Sequence, residues 1–245
     1  MIDGKTGIGY RKTYGTTYGS DVDAVYWTPT AWQYDRIVYN TTGGGIRTTG
    51  ISIPSREWAY VTFENGQSVR LNNPFNYLTY IFNEAGNVPL ETTDICFPDN
   101  ATGWLCTSDG QILVTKDSSK SWNSQLSVSR TGFSKIYFMD DKAGWASSYT
   151  NSFYKTTDGG NTWNKISTPG ITSKLVQFVF TTKNRGFFMA GREVYETSDG
   201  GTSWTRSCKM GNETFQSITK QGANVYILSL GSETSTTHAT ILRYQ

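Results

Sequence analysis

Short apolar runs and polar turns alternate along this chain at a fixed interval. Ile95-Cys-Phe97 leads through a polar turn to Gly103-Trp104, Ile136-Tyr-Phe138 to Gly144-Trp145, and Phe178-Val-Phe180 to Gly186-Phe187. Each pair is followed by a third run that ends in an aspartate-bearing turn. These runs are Leu113-Val-Thr-Lys-Asp117-Ser-Ser-Lys-Ser-Trp122, Tyr154-Lys-Thr-Thr-Asp158-Gly-Gly-Asn-Thr-Trp163 and Tyr195-Glu-Thr-Ser-Asp199-Gly-Gly-Thr-Ser-Trp204. Successive aspartates lie 41 residues apart. Brief aromatic and β-branched runs bounded by turn residues predict strands, and no stretch has the 3.6-residue apolar period of a long helix. One repeat therefore spells an antiparallel meander of about four short strands. Such a sheet cannot bury both faces alone, so neighbours must stack. The prediction is an all-β fold: a β-propeller of four-stranded antiparallel blades. The chain length of 245 residues allows about six blades, within a range of five to seven. A β-sandwich gives no reason for the fixed interval.

The aspartate turns are predicted to be structural. An Asp at a tight turn accepts hydrogen bonds from nearby amides, and the Gly two residues later permits a positive φ. The Trp then folds back over the turn and buries a large apolar face. The structural set is Asp117, Trp122, Asp158, Gly160, Trp163, Asp199, Gly201 and Trp204. In the first of these turns Ser119 replaces the expected Gly, which predicts strain or a different turn shape. Trp104 and Trp145 recur at one register and are expected to pack between blades.

The whole chain, 1–245, is expected to form a single propeller. The clearest repeats span 95–131, 136–172 and 178–208, and the N-terminal half, 1–94, is irregular. Asn65-Gly-Gln67 leading to Asn73 parallels Asp109-Gly-Gln111 leading to Asp117. Tyr39-Asn-Thr-Thr-Gly-Gly-Gly45 resembles an aspartate turn that has lost its Asp and Trp. Residues 74–94 are expected to form a long loop. Asn224–Leu228 and Thr240–Tyr244 read as strands of a last blade. Its outer strand is expected from the N-terminus, for example Ile8 to Tyr14, closing the ring.

Charge narrows the function classes. Charged residues make up 17% of the chain, the net charge is +2, and no basic stripe appears, so nucleic acid is not an expected partner. The longest apolar runs, such as Val225 to Leu228, are too short for a membrane span. His238 is the single histidine, which disfavours His-rich metal sites and Ser-His-Asp triads; no metal site is predicted. Gly43-Gly44-Gly45 lacks a following helix signal and Lys-Ser/Thr, so it is not a phosphate loop, and no cofactor is predicted. Cys96, Cys106 and Cys208 form no CxxC pair. Cys96 and Cys106 are candidates to face each other across a hairpin, although simple packing substitution is favoured. Met1-Ile2-Asp3-Gly4-Lys5 lacks a basic n-region and an apolar h-region. A cytosolic protein, a virion protein, or an exported protein whose leader is removed would each fit. The expected location is extracellular, periplasmic or virion.

The pattern of Phe, Gly-Trp, then Tyr-x-Thr-x-Asp-Gly-Gly-x-x-Trp resembles bacterial neuraminidase, or Asp-box, repeats. It is most similar to the photosystem II assembly and stability factor type. Phe138, Gly144, Trp145, Tyr154, Thr156, Asp158, Gly160 and Trp163 carry the match. A second set is Phe180, Gly186, Phe187, Tyr195, Thr197, Asp199, Gly201 and Trp204. The resemblance covers about Ile95 to Cys208 and implies a propeller with Asp-boxes at blade edges, away from the binding face. Because the group includes sialidases, receptors and assembly factors, it implies fold more than function. Sialidases resemble one another in an arginine triad, a Tyr-Glu pair and an Arg-Ile-Pro motif. Here Ile46-Arg47 and Ile53-Pro54 are only fragments, and Tyr195, near Glu193, is a repeat position. The expected function is a non-catalytic binding or assembly module, secreted or surface-displayed, with a protein or glycan partner and a place in a multi-subunit assembly. The alternatives are a structural or receptor-binding component of a phage particle, and a glycoside hydrolase of sialidase-like architecture, which needs only two carboxylates in a cleft. Ligand-binding candidates are the aromatics and arginine outside any clear Asp-box: Tyr26, Trp27, Trp32 and Arg36.

Overall fold

The structure, a computed structural model, describes residues 6–13, 19–27, 32–38, 48–55, 57–72, 81–166, 168, 175–209, 211, 213–233 and 236–244. The fold is an all-β propeller whose blades are antiparallel sheets of three or four strands, and no helix occurs among the described residues. The blade count falls within the expected five to seven. Two compact units, 1–130 and 131–245, carry the sheets. In the first unit, β1 (Thr6–Thr13), β2 (Gly19–Trp27) and β3 (Trp32–Val38) form one sheet. A second holds β4 (Thr48–Ser52), β5 (Trp58–Phe63), β6 (Gln67–Asn72) and β7 (Ile81–Asn87). A third holds β8 (Thr92–Cys96), β9 (Gly103–Thr107), β10 (Gln111–Thr115) and β11 (Asn123–Ser127). The second unit opens with β12 (Phe133–Phe138), β13 (Gly144–Ser148), β14 (Phe153–Thr156) and β15 (Asn164–Ile166). It continues with β16 (Leu175–Phe180), β17 (Gly186–Ala190), β18 (Glu193–Thr197) and β19 (Thr205–Lys209), then β20 (Thr214–Gln221), β21 (Asn224–Glu233) and β22 (Thr236–Tyr244).

The Phe and Gly-aromatic elements of the repeat form one packing device. In all three repeats the Phe ring at the end of the first strand lies flat against the glycine that opens the second. A Cβ built on Gly103, Gly144 or Gly186 would fall 2.4–2.5 Å from ring carbons of Phe97, Phe138 or Phe180. The Asp-box Trp meets the same ring edge-on: Trp122 with Phe97 at 6.1 Å, Trp163 with Phe138 at 5.7 Å and Trp204 with Phe180 at 6.0 Å between centroids. The aromatic after the glycine reaches the neighbouring sheet instead. Trp145 stacks on Phe180 at 3.8 Å, and Tyr60, whose preceding residue is Ala59, stacks on Phe97 at 3.7 Å. Offset and edge-to-face aromatic pairs favour this arrangement beyond the area they bury. Trp104 and Trp145 are buried, as the packing role requires.

Every first strand outside the β1-β2-β3 sheet carries a β-bulge at the same place. The register shifts fall between Thr48 and Gly50, Thr92 and Asp94, Phe133 and Lys135, Leu175 and Gln177, and Phe215 and Ser217. The extra residue increases local twist. Within each unit the first strands of successive sheets are neighbours, β4 with β8 and β16 with β20. Gln177 closes one such seam by accepting from the Ile218 amide at 3.1 Å.

One expectation is corrected. Residues 74–94 do not form one long loop: 81–87 are the fourth strand of the second sheet and 92–94 open β8. Their Gly, Asn and Pro content hid the two strands. β1, which holds Ile8 to Thr13, pairs with β2 from Thr6–Tyr26 to Thr13–Gly19. As the favoured packing reading has it, Cys96 and Cys106 do not face each other. The bulge in β8 sets Cys96 opposite Trp104 and Asp94 opposite Cys106, and all three cysteines are free thiols. The Asn65-Gly-Gln67 turn does match Asp109-Gly-Gln111: each joins the second and third strands of its sheet. Residues 39–45 and Asn73 lie outside the described residues.

Candidate functional site

In a four-stranded meander the first and third turns lie at one end of the sheet. The second turn and the connection to the next sheet lie at the other. The Asp-box is the third turn, and its carboxylate is held by hydroxyl and amide donors. In the box of Asp158, Thr156 Oγ1 donates to Asp158 Oδ1 at 2.8 Å and accepts from the Gly160 amide at 2.8 Å. Asp158 also accepts from the Thr162 amide at 2.9 Å and the Thr162 hydroxyl at 2.6 Å. Asp117 and Asp199 repeat this set with Thr115 and Ser121, and with Thr197 and Ser203. The turn then docks on the first turn of its own sheet. The amides of Ser118, Gly159 and Gly200 donate to the carbonyls of Ala101, Lys142 and Asn184 at 2.9, 3.0 and 2.7 Å. Asp99, Asp140 and Thr182 hold those first turns by accepting two amides each.

These contacts hold the box carboxyls at about 2, below their ordinary 3.8. The leading cause is the hydroxyl of Ser121, Thr162 or Ser203, followed in each case by the amide of the same residue. A depressed folded value contributes stability that is complete above about pH 4 and is lost as pH falls towards 2. Denaturation midpoints measured across that window are expected to fall with pH. Asp158→Asn should flatten part of the slope while leaving the neutral range without one.

Ser119 shows how the first box works without glycine. Ser118 and Ser119 take φ of 62° and 70°, the left-handed pair that Gly159 and Gly160 (74° and 86°) take in the second. The turn thus keeps its shape and accepts strain of about 1 kcal/mol per residue. In return Ser119 Oγ accepts from Trp122 Nε1 at 3.1 Å, whereas the indole N–H groups of Trp163 and Trp204 are buried without an acceptor. Ser119→Ala keeps the strain and removes the acceptor, so a loss of about 1–2 kcal/mol is expected. Ser119→Gly exchanges one cost for the other and should stay within about 1 kcal/mol of the parent in chemical denaturation.

The opposite rim carries the exposed large apolar side chains Leu90 and Tyr149 and is the candidate functional region in each unit. In the first unit it presents Leu90, 63% exposed, with Glu64, Glu91 and Asp109 in neighbouring turns. The connection is pinned by the Val88 amide on the Gly66 carbonyl at 2.9 Å and the Ser108 amide on the Glu91 carbonyl at 2.8 Å. Asp109 lies below the ordinary carboxyl range because the Thr107 hydroxyl, then the Gln111 amide group, donate to it. In the second unit the rim presents Tyr149, 44% exposed, and Arg192, which donates to the Gly211 carbonyl at 2.8 Å. A rigid sheet with polar turns of varied sequence suits recognition.

Glu193 and Tyr195 do come together, on β18. Tyr195 Oη donates to Glu193 Oε2 at 2.6 Å, while Arg206 Nη1 holds Oε1 at 3.0 Å and Lys209 lies 3.7 Å from it. The Tyr195 and Arg206 hydrogen bonds hold the carboxyl below its ordinary range. Burial, then the Glu193 contact, pushes the phenol up. A tyrosine nucleophile needs the reverse, a phenol of lowered pKa beside a stronger base. Tyr195 also stacks on Phe188 at 4.8 Å, which is a packing role.

Of the ligand-binding candidates, Tyr26 and Trp27 lie on β2 and Trp32 and Arg36 on β3, with Trp27 paired to Trp32 and Arg36 to Asp23. Their side chains lie outside the described residues, as does that of His238 on β22. Among the described residues no group of three or more His, Cys, Asp or Glu is placed to hold a metal, and no helix is long and apolar enough to cross a membrane. Sequence reasoning missed the Thr hydroxyl at the centre of each box and the matched turn acceptors Asp99, Asp140 and Thr182. The 41-residue step from Asp99 to Asp140 was a usable signal; the change to Thr at 182 obscured it.

The sequence profile of the family described as photosynthesis system II assembly factor YCF48 matches residues 47–194. No curated protein matches the chain. Three of the solved structures that resemble it are a YCF48 bound to a D1 peptide, a second YCF48 and a streptogramin B lyase. The YCF48 bound to the D1 peptide is 13% identical, with 91% of this chain and 93% of that one covered and a TM-score of 0.48. YCF48 from Cyanidioschyzon merolae is 11% identical, with coverage of 80% and 71% and a TM-score of 0.58. The streptogramin B lyase is 11% identical, with coverage of 100% and 90% and a TM-score of 0.66. At these identities the likeness to the last two concerns the fold alone.

Proposed function

The chain belongs to the photosynthesis system II assembly factor YCF48 family, and on that premise we propose that it is a non-catalytic module that binds a protein partner within a larger assembly. The observation that carries this reading is the family match, which runs from before β4 into β18 and so takes in three complete sheets. The chemistry of the repeat supports it. The box aspartates, held at about 2, are ionised at neutral pH and bound into turns, so they are poorly suited to general acid or base work. The Glu193–Tyr195 pair is tuned away from nucleophilic use. What remains for function is the second turns and connections, which are preformed and expose Leu90 in the first unit and Tyr149 in the second. Pre-organisation of this kind lowers the entropic cost of binding.

The test has two arms. Purified chain is applied to a peptide array that includes photosystem II subunits, and is incubated with a broad oligosaccharide panel. Saturable binding to a peptide without turnover of any sugar is the expected result. Hydrolysis of a glycan, or binding to glycans with none to peptides, would overturn the reading.

A further inference from the structure

The turn between β5 and β6 carries Asn65-Gly66, and the sequence holds no other Asn-Gly. This dipeptide is the one most open to deamidation, because no side chain on the glycine hinders the approach of its nitrogen to the preceding Asn Cγ. The Asn65 side chain is exposed, so water reaches it. The turn nevertheless holds every group that the reaction needs. The Gly66 amide donates to the Phe63 carbonyl at 3.1 Å. Asn65 Oδ1 accepts from the Gln67 amide at 3.1 Å, and Asn65 Nδ2 donates to Gln67 Oε1 at 2.7 Å. Gly66 itself is buried, with φ of 79°. A Cβ built on it would lie 2.9 Å from the Val88 carbonyl oxygen and 3.2 Å from Leu90 Cδ2, so Leu90 covers the turn.

The next sheet displays the same turn with an aspartate. Asp109-Gly110-Gln111 joins β9 to β10, Gly110 takes φ of 100°, and its amide donates to the Thr107 carbonyl at 3.3 Å, as that of Gly66 does to Phe63. Gln111 Nε2 donates to Asp109 Oδ2 at 3.0 Å, where Gln67 Oε1 accepts from Asn65 Nδ2. A half-turn of the Gln67 amide group converts one pattern into the other, because that group carries both a donor and an acceptor. The Thr107 hydroxyl, which also donates to Asp109, is replaced by Phe63.

We infer that Asn65 is a deamidation site controlled by the opening of its turn, and that its α-linked product, an aspartate, folds into the pattern of Asp109. The Gly66 nitrogen loses its proton and bonds to Asn65 Cγ. The Cγ–Nδ2 bond breaks, and ammonia leaves with that proton. Water then opens the resulting succinimide at either carbonyl, giving aspartate or isoaspartate. Either product adds a carboxylate beside Leu90, where Glu64, Glu91 and Asp109 already lie in neighbouring turns, and so changes the charge of the candidate region in the first unit.

The full chain is incubated in heavy-oxygen water at mildly alkaline pH, either folded or in guanidinium chloride, and position 65 is followed by peptide mass spectrometry. Uptake of heavy oxygen at position 65 is expected in both states, slower by about tenfold or more in the folded chain, because the turn must first open. Leu90→Ala, at an exposed position, removes the cover and should raise the folded rate alone, with unchanged melting verifying that the fold is intact. Asn65→Asp should move the melting temperature by less than about 2 °C. Equal rates in the two states would overturn the proposal, as would a folded rate that Leu90→Ala leaves unchanged. Faster uptake at another asparagine, or none at position 65 after prolonged incubation of the folded chain, would overturn it as well. A large fall in melting temperature for Asn65→Asp would show that the product does not take up the Asp109 pattern and would overturn that part.

Discussion

Gly186→Ala is expected to destabilise the protein by about 3 kcal/mol or more, a large effect for one methyl group. The new Cβ would lie 2.5 Å from Cδ1 and Cε1 of Phe180. That ring has nowhere to go: it is fully buried, stacked by Trp145 at 3.8 Å, and met by Trp204 at 6.0 Å and Phe178 at 6.2 Å. Relief would need the strand pair Phe180–Gly186 to separate, which breaks the ladder joining β16 and β17. Gly211→Ala is the matched control, because nothing lies within 4 Å of its added Cβ. Urea denaturation of the two variants should give a large fall in midpoint for the first and almost none for the second. Equal midpoints would show that the ring-over-glycine contact does not hold the blade.

Trp145→Ala is expected to cost about 3–5 kcal/mol. The indole is fully buried, stacks on Phe180 at 3.8 Å and on Tyr137 at 6.2 Å, and donates to the Gly200 carbonyl at 3.0 Å. One side chain thus joins the second strand of one sheet to the first strand and the Asp-box turn of the next. Trp145→Phe should recover most of the stacking but not the hydrogen bond, leaving a loss of about 1–2 kcal/mol. A double-mutant cycle with Phe180→Ala separates the pair from the burial, and a coupling of about 0.5–1.5 kcal/mol is expected. Additive losses would mean that Trp145 fills space without specific stacking.

The two substitutions also explain why so much of this fold was legible in the sequence. Phe, Gly, aromatic and box Trp are four parts of one contact, so they recur together and at fixed spacing. Where the device is complete, from Ile95 to Trp204, strand order followed from the residues. Where it is partial, strand order did not. In the sheet of β4 to β7, Ala59-Tyr60 stands in for Gly-Trp, and the fourth strand, Ile-Phe-Asn-Glu-Ala-Gly-Asn, has neither alternation nor an Asp-box before it. Its pairing with β6 runs through backbone groups, which composition does not report. The bulges were hidden for the same reason, and they decide which residues face each other, as the Cys96–Trp104 pairing shows. The candidate site was less legible still. Turn residues on the rim answer to a partner rather than to the repeat, so nothing in the periodicity marks Leu90 or Tyr149.

The central claim is that this chain works by holding another protein. Native mass spectrometry of the intact assembly purified from its source tests it most directly. The account predicts recovery in defined stoichiometry with at least one different protein, and loss of that species when the exposed turns at Leu90 or Tyr149 are altered. Recovery solely as a free chain or as copies of itself, from preparations in which other assemblies survive, would contradict it.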